Sequence, residues 1–326
     1  MKRFTVNCME AIFISALLAS FLVCGSGWAQ EKFPAKPIEN IVPWAAGGGQ
    51  DLTIRALQPQ LERALGQPIV IVNKVGAGGA VGFNAIAIAP SDGYTIGQAS
   101  PGINITKYTV KADVDYVKFE PVIFVGYSPC GILVRKEAPW NNLKDFLAYA
   151  KANPEKVRLG NSGYGGNFHI SAIGMEQAAG VKFIHVPYKG AAPSIVAILG
   201  GHIDAISSAI TDCFHLMKAG RLKALGFAAP ERSKFVPEAQ TFKELGMDAE
   251  FITYYAWLAP KGVSKERIRI LENAFRKAAE SKEFNDYCNT QGVTIAPKGP
   301  EEYGSYLAKE DKKWGDLIRI GGIKPE

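Results

Sequence analysis

The chain has 326 residues, 47 % of them hydrophobic and 21 % charged, with 34 glycines, 19 prolines and a formal net charge of +6. That composition excludes a disordered or collagen-like chain, and no Lys/Arg run is long enough for a nucleic-acid footprint. At ~150 residues per domain, the length suits two domains or one large α/β unit.

Residues 1–29 read as a secretory signal peptide. Lys2 and Arg3 open it, Ala11 to Cys24 is apolar, and Gly27 and Ala29 suit a cleavage site after Ala29. An uncleaved anchor is the alternative, but a membrane span needs ~20 apolar residues and Gly25-Ser26-Gly27 interrupts this one. A lipoprotein route through Cys24 fits less well, because no small residue stands just before it. The product is therefore expected to be exported and soluble. Cys130, Cys213 and Cys288 are left, an odd number with no CxxC and no zinc spacing. Three buried thiols are expected, with one disulfide as the alternative.

Strand and helix signals then alternate. Ile38 to Pro43 reads as a strand running into Ala45-Ala46-Gly47-Gly48-Gly49. A helix follows from Asp51 to Gly66 with Ile54, Leu57, Leu61 and Leu65 on one face, and Pro59 should kink or split it. Ile69 to Asn73 is a second strand, followed by Gly76-Ala77-Gly78-Gly79, a helix over 80–89 and a strand over 94–99. This repetition predicts a parallel α/β sheet. Pro121 to Val134 reads as two strand pieces around Gly126. A helix over 142–153 and a strand over 157–159 lead to the loop Gly160-Asn161-Ser162-Gly163-Tyr164-Gly165-Gly166. Further helices are predicted over 167–179, 193–199, 264–281 and 300–320, and strands over 182–186, 205–210 and 222–228.

Three glycine-rich loops thus follow predicted strands and open predicted helices. There, backbone N–H groups and helix dipoles can converge on an anion without a charged side chain. Ligands in open α/β sheets sit beyond the carboxyl ends of the strands. One such loop is more simply a sharp turn; three together point to a cleft for a carboxylate or phosphate.

Enzyme signatures are missing. A dinucleotide GxGxxG begun at Gly76 meets Val81 at its sixth position, a GxSxG elbow around Ser162 meets Tyr164, and there is no P-loop and no HExxH. His169, His185, His202 and His215 show no ligand spacing, so no metal and no cofactor are expected. Asp204 and Asp212 read as a turn acid and a cap. The faint catalytic alternative pairs Ser162 with His169 or His185.

Specific motifs carry a resemblance over essentially the whole mature chain. They are Lys36-Pro37-Ile38, Ile41-Val42-Pro43, Ala45-Ala46-Gly47-Gly48 with Asp51, Leu65-Gly66-Gln67-Pro68 and Asp92-Gly93-Tyr94-Thr95. Val186-Pro187-Tyr188-Lys189-Gly190, Lys218-Ala219-Gly220 and Gly321-Gly322-Ile323-Lys324-Pro325-Glu326 continue it. The chain resembles the Bug-type solute receptors of tripartite tricarboxylate transporters. The resemblance implies a periplasmic, non-enzymatic protein with the two-domain periplasmic-binding-protein (type II) α/β fold. Each domain would be a mostly parallel sheet flanked by helices, joined through two hinge crossovers. Domain 1 would be 30–128 plus 255–326, and domain 2 would be 129–254.

It also implies capture of a di- or tricarboxylate, an aromatic carboxylate or an amino acid by domain closure, and delivery to membrane permease subunits by a monomer. The ligand-binding residues implied in domain 1 are Trp44, Ala46, Gly47, Gly48, Asp51, Ala77, Gly78 and Ser100. Those in domain 2 are Ser162, Gly163, Asn167, His169, Pro187 and Ser208. Asp51 is expected to organise its loop rather than touch the anion. Departures from the family include Trp44, which either stacks on a planar ligand or fills the cleft, and Gly166 in place of a hydroxyl residue. Tyr254, Tyr255 and Trp257 either pack the core or line the cleft. The competing readings are a ligand sensor for a membrane kinase and an exported α/β hydrolase.

Overall fold

Runs of β-branched residues bounded by glycine-opened helices give eleven strands and ten α-helices among the residues described by the computed structural model, 32–325. The signal-peptide reading of residues 1–29, with its cleavage site, lies outside them, as does Glu326. From Lys36 onward the chain is one continuous unit of contacts.

β1 (Ile38–Val42), β2 (Ile69–Asn73) and β3 (Thr95–Ala99) pair in parallel, in the order β2-β1-β3. α1 (Gly49–Leu65) and α2 (Ala80–Ala87) are the crossovers between them. α1 buries Ile54, Leu57 and Leu61, as its period predicts. Pro59 neither kinks nor splits it: α1 is one helix of 17 residues. Both Pro59 and Arg55, whose carbonyl loses its donor, are exposed. The missing bond therefore falls on the side where water can replace it.

A second parallel group comprises β5 (Arg158–Asn161), β6 (Ile184–Pro187) and β7 (Ala205–Ala209). β4 joins the two groups as one strand, Phe119–Arg135, not as two pieces around Gly126. Its first half pairs antiparallel with β10 (Ile252–Pro260) and β11 (Thr294–Lys298). Its second half pairs antiparallel with β7 and β8 (Leu222–Phe227). Gly126 is where β11 crosses closest: a Cβ there would lie 2.5 Å from the Thr294 carbonyl oxygen. The glycine admits a neighbour rather than ending a strand. The sheet order β2-β1-β3-β10-β4-β7-β5-β6 is therefore mixed, antiparallel at its centre and parallel at both ends.

The remaining helices are α3 (Gly102–Thr109), α4 (Leu143–Ala152), α5 (Asn167–Ala179), α6 (Ala191–Leu199), α7 (Ile210–Lys218), α8 (Lys265–Ala279), α9 (Lys282–Gln291) and α10 (Pro300–Ile320). Two large apolar cores, among several, lie against the sheet. Ile41, Phe83, Phe124, Tyr254 and Leu258 form one; Ile132, Phe146, Leu159, Met175 and Phe251 form the other. α10 enters both, the first through Tyr303 and Leu307, the second through Trp314 and Leu317. Tyr254 and Trp257 are core residues, and Trp257 Nε1 donates to Asn40 Oδ1 at 2.8 Å. Cys130, Cys213 and Cys288 are buried free thiols.

Gly126→Ala should lower stability by ~1–3 kcal/mol, since the strand opposite presents backbone that cannot rotate away. Thermal denaturation would show this as a fall in Tm of roughly 2–4 °C per kcal/mol. An unchanged Tm would mean that β11 is free to move.

Candidate ligand-binding cleft

The first turn of a helix leaves its N–H groups without intrahelical acceptors. α4, α8 and α9 satisfy one each with the side chains of Asn142, Ser264 and Ser281. None of these three helices lines the cleft described next. α1, α3, α5 and α6 begin after Gly48, Pro101, Gly166 and Gly190, none of which provides a side-chain cap. The starts of these four, with that of α7, surround a cleft of about 720 Å³. Gly49 and Gln50 come from α1, Gly102 from α3, Asn167 and Phe168 from α5, Ala191 from α6, and Thr211 and Asp212 from α7. Among the described residues, no lysine, arginine or histidine lines it. Converging N–H groups and helix dipoles therefore set its electrostatics, apart from Asp212.

The first glycine-rich loop is held from behind. The buried Asp51 carboxylate accepts from Gly47 N–H at 2.8 Å, from Arg55 Nε and Nη2 at 2.8 and 2.9 Å, and from Asn73 Nδ2 at 3.0 Å. Asn73 Nδ2 also donates to the Trp44 carbonyl at 2.9 Å. Burial pushes the Asp51 carboxyl up, but the bonds from Arg55, Gly47 and Asn73 prevail and lower it to about 2. Gly47 has φ +79°, which a side chain would strain. The Trp44 ring meets Phe83 edge-on, with centroids 5.6 Å apart, and lines the cleft.

The third loop has the same kind of support. Asn161 Oδ1 accepts from Gly163 N–H at 3.1 Å, and His169 Nδ1 accepts from Gly165 N–H at 3.0 Å. That second bond requires a neutral imidazole with its proton on Nε2. Burial, reinforced by His185 nearby, lowers the His169 pKa to about 4. His185 Nε2 lies 2.8 Å from the Glu176 carboxylate. Both histidines thus have partners other than Ser162.

Half of the residues implied by the sequence line the cleft. Trp44, Gly48, Ala77, Gly78 and Ser100 do so from the β1–β3 half, and Ser162 and Asn167 from the other. Ala46 and Gly47 are exposed on the loop beside it, Gly163 belongs to the third loop, and Pro187 is exposed at the end of β6. Asp51 and His169 are buried behind their loops, and Ser208 is buried in β7, where its hydroxyl donates to Asp212 Oδ2 at 2.8 Å. Sequence reasoning missed Gln50, Thr106, Thr109, Thr211, Asp212 and Thr253, and left Tyr255 between two readings. Tyr255 does both: it is buried and lines the cleft. The signal available for Asp212 was its place in the first turn after a buried strand.

The two buried supports predict separate acid sensitivities. The unfolded histidine titrates near 6.5. Between there and about 4 the unfolded chain binds the extra proton, so His169 makes stability fall as pH drops through that window. Asp51 contributes above its unfolded value of ~3.9 and loses that contribution as pH falls towards 2. Melting curves from pH 7 to 3 should show His169→Gln flattening the upper window and Asp51→Asn the lower one. Parallel curves for wild type and variants would contradict both assignments.

Comparison with known proteins agrees with this architecture. The family model described as tripartite tricarboxylate transporter family receptor matches residues 53–323. Protein BugT of Bordetella pertussis is 30% identical over 300 residues, covering 90% of this chain and 92% of that protein. Two solved structures from Rhodopseudomonas palustris are similar. Rpa4515 with adipate has a TM-score of 0.79 and 26% identity, over 90% of this chain and all (100%) of that one. MatC with bound malate has a TM-score of 0.74 and 25% identity, over 88% of this chain and 100% of that one. The chain has the α/β fold of the Bug-type binding proteins and belongs to the tripartite tricarboxylate transporter receptor family, whose members are non-enzymatic solute-binding proteins.

Proposed function

We propose that this receptor captures a small carboxylate in the periplasm by domain closure and delivers it to the permease subunits of a tripartite tricarboxylate-type transporter. The observation that carries the ligand class is the cleft itself: uncapped helix starts converge on a space with no basic side chain. Adipate and malate, held by two similar proteins, are both carboxylates. Hydrogen bonds to an ionised acceptor contribute roughly 1.5–3 kcal/mol each. Four or five, less the cost of ordering, give a micromolar or better dissociation constant.

The closing bodies are residues 30–128 with 255–326, and residues 129–254. In support, β4 exchanges partners between Pro129, opposite Ile252, and Cys130, opposite Ala209. A ligand bridging the Gly48–Gln50 turn and the Ser162–Asn167 turn gains both sets of contacts only when the two bodies are closed, and so shifts the population towards that state. Within this reading, Trp44, Ala77, Gly78 and Ser100 contact the ligand from one side and Ser162 and Asn167 from the other. Gly47, Asp51, Gly163 and His169 shape the loops, and Ala46, Pro187 and Ser208 act at the margin. A monomer suffices, because both halves of the cleft come from one chain. The apolar leader at residues 11–24 supports export.

A thermal-shift screen of residues 30–326 against dicarboxylates, citrate, benzoates and amino acids tests the reading. A ligand at 100 times its dissociation constant should stabilise the protein by ~2.7 kcal/mol. Gly49→Asp puts a fixed carboxylate at the start of α1, where a Cβ meets only the Tyr255 hydroxyl at 3.6 Å. It should preserve folding and reduce carboxylate binding at least 100-fold. No shift with any carboxylate, in protein shown by mass spectrometry to be ligand-free, would overturn the reading.

A further inference from the structure

The cleft carries an acid where an anion receptor would be expected to avoid one. Asp212, in the first turn of α7, is the only Asp, Glu, Lys, Arg or His among the described residues that line it. Ser208 Oγ donates to its Oδ2 at 2.8 Å, and the start of α7 favours its charged form. The elements packed around it bring the Tyr255 hydroxyl and the Cys130 and Cys213 thiols, all of which burial makes harder to ionise. None of these is a cation. Burial accordingly pushes the Asp212 carboxyl above its ordinary value despite the bonds it accepts.

A second acceptor lies beside the same strand. Gln50 Nε2 donates to the Tyr254 carbonyl at 3.0 Å, which fixes the amide's orientation. Its Oε1, on a residue lining the cleft, is buried without a protein donor. Tyr255 links the two regions: its hydroxyl lies against Gly49 at the start of α1 and meets the Thr211 side chain next to Asp212. Donor-rich helix starts, one amide oxygen without a donor and one carboxylate without a cationic partner therefore occupy one cleft. A half-buried carboxylate without a cationic partner is costly, and a ligand that supplies the cation removes that cost.

Resting on the carboxylate-receptor reading, we propose that Asp212, with Gln50 Oε1, selects ligands bearing an ammonium group beside their carboxylate. The ligand class is thus amino acids or similar amino-carboxylates rather than plain di- or tricarboxylates. The ammonium sits between Asp212 and Gln50, and the carboxylate lies on the helix starts. Plain polycarboxylates are disfavoured, because they bring a second negative charge towards Asp212.

Matched probes differing only in the amino group test this by calorimetry: L-glutamate against glutarate, L-norleucine against hexanoate, and L-phenylalanine against 3-phenylpropionate. Wild type should prefer the amino member of any pair it binds at least 10-fold. Asp212→Asn should reverse that preference, weakening the amino member at least 10-fold and strengthening its partner. Asp212→Ser is the second variant should the first fail to fold, and Gln50→Leu should reduce the same preference with Asp212 in place. Equal or tighter binding of the plain acids by wild type, or a preference unchanged in the Asp212 variants, overturns the proposal and leaves the carboxylate reading standing. No heat with any probe, or with the plain carboxylates of the screen, brings down the carboxylate reading and this proposal together.

Discussion

Every helix start leaves N–H groups that need acceptors, and this constraint organises the cleft. Outer helices meet it locally with Asn142, Ser264 and Ser281. Among the helices facing the cleft, α1, α5 and α6 begin after glycine and have no such side-chain cap. Their unmet hydrogen-bonding capacity is directed at one volume, so an anion can be held there by backbone alone. Backbone donors move only with the fold, which gives them a geometric precision that a flexible lysine lacks.

Such donors work only if the loops carrying them are rigid. Two buried polar groups provide that rigidity without entering the cleft. Asp51 ties Gly47 to Arg55 and Asn73, and His169 ties Gly165. The pairing with Asp51 also engages Arg55, a cation of the same helix, outside the cleft. Behind these loops, β4 and α10 contribute to both of the large apolar cores, so the two halves share elements as well as a cleft.

Much of the fold was legible because its signals were local. Helices α5 and α10 begin and end where glycine, proline and apolar spacing place them, and β2 is bounded by Pro68 and Asn73 as read. What escaped depended on tertiary partners. Gly126 reads as a break until β11 is seen lying against it, and Pro59 reads as a kink until its exposure is known. α3 was missed because its β-branched residues Ile103, Ile105 and Thr106 do not favour a helix and it is buried all round over Ile103–Thr106, so it shows no one-sided apolar period. The glycine-rich loops of the cleft were visible as residues that permit close backbone approach. Asp212 and Gln50 were not, because an acid in a first turn reads as an ordinary cap and a glutamine beside Asp51 reads as surface.

The central claim is that a ligand carboxylate is held by backbone N–H groups at helix starts, with no cationic side chain taking part. A crystal structure of residues 30–326 with a carboxylate that binds in solution tests it most directly. The account predicts carboxylate oxygens at ~2.7–3.0 Å from the N–H groups of Gly49 and Gln50 at the start of α1 or of Asn167 and Phe168 at the start of α5. A carboxylate paired with a lysine or arginine, or bound outside this cleft, would contradict it.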